Sequence, residues 1–173
     1  MRVVIWLEPR LVMSVDRVAE AKQQFDAHGF YWKHTLAVDL EDRQRGLAVQ
    51  WAASCAEQLM AVRYPERLSH FATDIADAKL YFARRPDCDL TETAREIWYR
   101  KDRDGPQTAI SKLFTAIYEY HEGTPCIHST AAVIGNLFTD TWPDGSEWHA
   151  DSDKLFQLVM DQHYRSAKQA ESK

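Results

Sequence analysis

Leu47-Ala48-Val49-Gln50-Trp51-Ala52-Ala53-Ser54-Cys55-Ala56-Glu57-Gln58-Leu59-Met60-Ala61-Val62-Arg63 is the stretch that decides the fold. Leu47, Trp51, Cys55, Leu59 and Val62 recur at helical spacing, and Ala48, Ala52, Ala56 and Met60 form a second stripe beside them. Two adjoining stripes give a helix a wide face to bury, because side chains three and four positions apart stand one above the other. The pattern predicts a helix from about Leu40 to Arg63. Pro65 ends it, since the proline ring clashes with the preceding turn, and can also sit in the first turn of the next helix. There Leu68, Phe71, Ile75, Ala78 and Phe82 continue the spacing up to Pro86, so the pair reads as a helical hairpin.

Working outward, Ser14 can cap a helix running to Phe25 or Asp26, with Gly29 as its left-handed stop. Phe30-Tyr31-Trp32-Lys33-His34 reads as an aromatic connection that packs over a core edge or serves as a recognition surface, including a homodimer contact. Val3 to Leu7 suits a short N-terminal strand. Downstream, Asp89 or Thr91 starts a helix carrying Ala94, Ile97 and Trp98, and Asp102 to Pro106 has the composition of a turn. Ile110, Leu113, Phe114 and Ile117 mark another helix, closed by Gly123 and Pro125, and Ile127, Ala131, Ile134, Leu137 and Phe138 mark the next. Thr139 to Asp153 reads as an exposed acidic loop. The last helix carries Leu155, Phe156, Val159 and Met160 and frays through a polar tail, 166–173. The expectation is an all-α fold, a single-domain helical bundle or stacked helical hairpins of about seven helices.

The bulk properties agree with such a domain. The chain has 173 residues, 45% of them hydrophobic, and a formal net charge of −5. A chain of this length buries roughly 70% of its unfolded surface and needs no metal or disulfide staple. Cys55, Cys88 and Cys126 fit no metal-finger spacing and leave an odd thiol in any pairing, which suits a reducing cytoplasm. The N-terminal run ends at Glu8-Pro9 with no cleavage-site pattern, and no stretch is long and apolar enough to span a membrane. The basic cluster Arg95, Arg100, Lys101 and Arg103 is interrupted by Glu96, Asp102 and Asp104, which argues against direct nucleic-acid binding. Acidity favours a basic protein partner instead.

Candidate chemistry concentrates in the last third. His121, His128, His149 and Asp151 have the right donor types for a metal-dependent hydrolase, though not the spacing of HExxH. His163 lies on an apolar face, where a hydrogen-bonded core histidine is expected. Asp140, Asp144, Gly145 and Asp151 stand at positions 1, 5, 6 and 12 of a would-be calcium loop, but Trp142 at position 3 offers no oxygen. Cys55 is expected to be buried and inert. Cys126 and His128 open a helix whose dipole could lower a thiol pKa. No cofactor is expected. Trp142 and Trp148, beside Asp144, Glu147, Asp151 and Asp153, instead make suitable anchors for a basic protein.

One family resemblance sharpens this. Trp51-Ala52-Ala53-Ser54-Cys55-Ala56-Glu57-Gln58-Leu59, then Tyr64-Pro65-Glu66-Arg67 and Ile75-Ala76-Asp77-Ala78-Lys79, resembles the helical hairpin of immunity proteins of bacterial polymorphic toxin systems. The likeness covers about residues 47–85, and the later helices lack that family's alanine richness. It implies an all-α cytoplasmic protein, not an enzyme, that neutralises a toxin by binding it. The aromatic and acidic composition of the loop, not the resemblance, makes Trp142, Asp144, Glu147, Trp148, Asp151 and Asp153 the expected contact, and the partner expected is a basic toxin or a nucleic-acid-processing complex. A phage-encoded inhibitor of a bacterial defence complex fits the same features, as either monomer or homodimer.

Overall fold

The computed structural model describes residues 16–101, 103–138 and 151–173. These form eight α-helices and no strand: α1 (Arg17–Asp26), α2 (Trp32–Arg43), α3 (Leu47–Arg63), α4 (Pro65–Ala83), α5 (Leu90–Trp98), α6 (Gly105–Glu122), α7 (Ile127–Phe138) and α8 (Ser152–Glu171). The all-α expectation holds. Val3 to Leu7 and Ser14 lie outside the described residues.

α3 is the central element, packing against α2, α4, α6, α7 and α8. The double stripe explains this position: Leu47, Ala48, Trp51, Ala52, Cys55, Ala56, Leu59 and Met60 are all buried. Small alanines let neighbouring helices approach, while Trp51 and Leu59 fill the space between them. The hairpin with α4 forms as expected, Pro65 taking the first position of α4 and Phe71, Ile75 and Ala78 its buried face.

Three local expectations are corrected. The helix predicted from Leu40 to Arg63 is two helices, broken at Gln44–Gly46. Gly46 adopts φ +85°, and the Glu41 carboxylate accepts hydrogen bonds from Gly46 N at 2.9 Å and Ala48 N at 3.1 Å. A carboxylate from the end of one helix thus satisfies free amides at the start of the next. The aromatic connection 30–34 is helical from Trp32 onward, because Trp32 turns into the core. Finally, the stretch read as a fraying tail from Ser166 stays helical to Glu171, with Ala167 buried against the core.

The helix ends follow their chemistry. Asp16 caps α1 by accepting from Ala19 N. His28, at φ +57°, is the left-handed stop expected at Gly29. Its amide donates to Phe25 O, and that of Gly29 to Gln24 O, the pair of bonds that closes a Schellman motif. Asp89 and Asp104 cap α5 and α6. Buried Gln107 donates to Trp98 O and Arg100 O, satisfying one carbonyl at the end of α5 and one just past it. Gly123, at φ +74°, closes α6.

Candidate partner-binding surface

Phe25 at the end of α1, Trp32 at the start of α2, Phe138 at the end of α7 and Phe156 in the first turns of α8 form one aromatic cluster. Phe25 and Phe156 stack with centroids 3.8 Å apart. Trp32 meets the rings of Phe138 and Phe156, each at 5.2 Å, edge-on. Edge-to-face aromatic contacts of this kind each add to the area they bury. Phe138 directly precedes Thr139, where the predicted acidic segment begins, and Phe156 follows closely on its end at Asp153. Both flanks of the predicted acidic segment are therefore pinned at the α1–α2 junction.

At that junction Phe30 and Tyr31 are 53% and 70% exposed, while Trp32 beside them is fully buried. The aromatic run thus divides, with one ring in the core and two outside. Asp26 at the end of α1 and Asp151 and Asp153 at the start of α8 are exposed as well. Arg63 binds the C-terminal end of α7 by donating to Leu137 O at 2.8 Å and to Phe138 O. Burial pushes its guanidinium pKa down, while Tyr64 and Asp151 act in the opposite direction. Trp98 and Tyr99 are also exposed, but Arg103 lies over the Tyr99 ring at 5.2 Å, and Lys101 and Glu96 are both exposed nearby, so that patch mixes charges of both signs.

The structure places the predicted site residues in different settings. Trp142, Asp144, Glu147, Trp148 and His149 lie outside the described residues. Asp151 is the N-cap of α8, and Asp153 lies in its first turn. His121 sits with Nε2 2.5 Å from Tyr81 O on α4. His128 faces His34 on α2 instead, Nδ1 to Nε2 at 3.4 Å. Among the described residues no group of three or more His, Cys, Asp or Glu side chains is arranged to hold a metal, so His121, His128 and Asp151 do not form one.

The cysteines resolve more sharply. Cys55 is buried, and burial raises its thiol pKa well above the ordinary value. The idea that a helix start lowers the Cys126 pKa is overturned: burial, with Glu41 next, pushes it up to about 11. A thiol so disposed stays protonated at neutral pH and is a poor nucleophile.

Sequence reading missed two polar features of α2. Lys33 is buried, and a Cβ added at Gly135 on α7 would lie 3.4 Å from its Cε, so the absence of a side chain there leaves room for the lysine stem. His163 on α8 is buried and hydrogen-bonded to Asp39 Oδ2 at 3.0 Å, and Arg43 donates to that same oxygen at 3.0 Å. The expected core histidine is present, but its α2 partners are too distant in sequence for local spacing to reveal.

These imidazoles set a pH dependence. Burial lowers the His163 pKa below its ordinary 6.5 despite Asp39, with Arg43 also opposing the charge. Burial, His128 and Lys33 lower that of His34. Both groups bind protons more readily in the unfolded chain, so their stabilising contribution is complete above about pH 6.5 and is lost as pH falls toward the folded values. Urea midpoints are expected to drop between pH 7 and 5.5, and less steeply in His163→Gln. A midpoint that is flat or rises over that interval would contradict the assignment.

No protein-family model, curated protein or solved structure matches the chain.

Proposed function

We propose that this chain is a protein-binding inhibitor of the immunity type, which acts in the cytoplasm by capturing a basic toxin. The contact surface in this reading is the α1–α2 junction with Phe30 and Tyr31, together with Asp151, Asp153 and the Trp142, Asp144, Glu147 and Trp148 segment. One observation carries it: the aromatic cluster that fixes Phe138 and Phe156, flanking the acidic segment, also fixes the junction at which Phe30 and Tyr31 stand exposed. Exposed aromatics supply contact energy, and neighbouring acids steer a basic partner to them. The likeness of residues 47–85 to immunity proteins supports the same reading.

The test begins with the tagged chain recovered from its native source and the co-eluting protein identified and purified. A stoichiometric basic toxin whose activity the chain blocks is the expected result. Tyr31→Ala is then expected to weaken that complex about tenfold, equivalent to about 1.4 kcal/mol, with thermal stability nearly unchanged. Charge reversal at Asp151 and Asp153 should act in the same direction and slow association most at low salt. A nucleic-acid-processing defence complex recovered instead would place the chain with phage-encoded inhibitors. Absence of any stoichiometric partner, or an affinity indifferent to all three positions, overturns the reading.

A further inference from the structure

His34 and His128 come from helices far apart in sequence, and they meet at the surface. His128 is exposed, His34 is half-buried, and the Tyr31 ring lies 5.6 Å from the His34 ring. The His34 Nε2 to His128 Nδ1 separation is 3.4 Å, longer than the usual range for a nitrogen donor in a hydrogen bond. The two nitrogens share a long hydrogen bond, and the same separation also fits a second geometry. Two zinc–imidazole bonds of about 2.0–2.1 Å at a tetrahedral angle place their nitrogens about 3.3–3.4 Å apart.

We propose that His34 Nε2 and His128 Nδ1 form a two-nitrogen site for a zinc-class divalent ion, with water completing the coordination. Both residues stand on helix backbones, His34 in the first turn of α2 and His128 in the first turn of α7, so the ion has only side-chain torsions left to order. Both facing nitrogens must be unprotonated to hold the ion, so the single ring proton that lies between them in the neutral pair moves to the far nitrogen of its own ring, His34 Nδ1 or His128 Nε2, with no net proton released. Imidazole nitrogens select zinc, nickel or copper over calcium and magnesium. Two features limit the affinity. His34 Nδ1 is enclosed without a hydrogen-bond partner among the described residues, and Lys33 contributes a nearby positive charge. The site is thus a modest one that a third donor from a bound protein would strengthen.

The test uses zinc chloride with the purified full chain. Calorimetry is expected to show saturable binding of one ion, weakened about tenfold or more by His128→Gln, a change at an exposed position that leaves the fold intact. His34→Gln should act likewise, its folding checked by circular dichroism. Nitrogen NMR of the imidazoles provides a direct reading: His34 Nε2 and His128 Nδ1 should shift before the ring nitrogens of the other histidines. Saturable binding undiminished in both variants, with shifts at other histidines, would mean an adventitious ion only and overturn the proposal. So would no binding. Neither result touches the inhibitor reading, which rests on Phe30, Tyr31 and the acids.

Discussion

Trp51→Ala is expected to cost about 3–5 kcal/mol of folding free energy, the usual range for emptying a buried aromatic position. Trp51 is fully buried on the central helix. Its indole Nε1 donates to Val159 O at 3.3 Å, and its ring meets His163 edge-on at a centroid distance of 6.1 Å. Truncation removes the apolar volume between α3 and α8, and the Val159 carbonyl loses a side-chain donor. Alanine retains the helix propensity of the site, so the loss is one of packing and not of local structure. The loosened contact bears directly on α8, whose first turns carry Phe156, Asp153 and the cap Asp151. Urea denaturation followed by circular dichroism measures the difference, and a loss under about 1 kcal/mol would contradict the central position of Trp51. Trp51→Phe should recover most of the stability, because the ring volume matters more than one long hydrogen bond.

The fold was legible where apolar spacing was regular. α4, α6 and α7 appear where their stripes of Leu, Ile, Phe and Ala predicted them, and α3 does so from Leu47 onward, because burial of one helical face leaves a period that needs no tertiary information. Legibility failed at ends and junctions. Trp32 and Leu36 are buried, yet α2 was partly hidden because Lys33 is buried as well and breaks the alternation of apolar and polar positions. The helical persistence of α8 past Ser166 depends on Ala167, a single small residue amid polar neighbours, and on Glu171 lying 3.4 Å from the Arg43 guanidinium of α2. No pattern confined to the tail could have shown that partner.

The candidate surface was legible in composition but not in arrangement. Aromatic and acidic residues were apparent in segments 30–34 and 142–153, which stand more than a hundred positions apart. What the structure adds is that Phe138 and Phe156, on either side of the second segment in sequence, meet Phe25 and Trp32 at the first, a set of long-range contacts that no local window contains. The pairing of His34 with His128 was invisible for the same reason. His128 had drawn notice through its histidine and acidic neighbours in sequence, whereas the ring that meets it belongs to another helix altogether.

Gly46→Ala is the second large effect expected, at about 2–5 kcal/mol, and two separate costs contribute to it. Gly46 holds φ +85°, a left-handed conformation that costs a residue with a Cβ about 1–2 kcal/mol. A Cβ there would also lie 2.5 Å from Tyr120 Cε2 and 2.9 Å from Phe82 Cζ, so both rings must shift, and overpacking of this kind costs about 1–3 kcal/mol. Those rings are partners, their centroids 4.6 Å apart, and they join α4 to α6. Arg45 lies over Tyr120 with its guanidinium carbon 4.4 Å from the ring centroid, so a displaced ring disturbs that contact too. The break between α2 and α3 also gives Glu41 its two amide partners. A chain driven toward the continuous helix from Leu40 to Arg63 would lose that cap and turn α2 away from α8. The expected readout is a lowered thermal midpoint with helical content retained below it. Alanine accepted at position 46 without loss would show that neither the left-handed turn nor the contact with Tyr120 and Phe82 constrains the chain there.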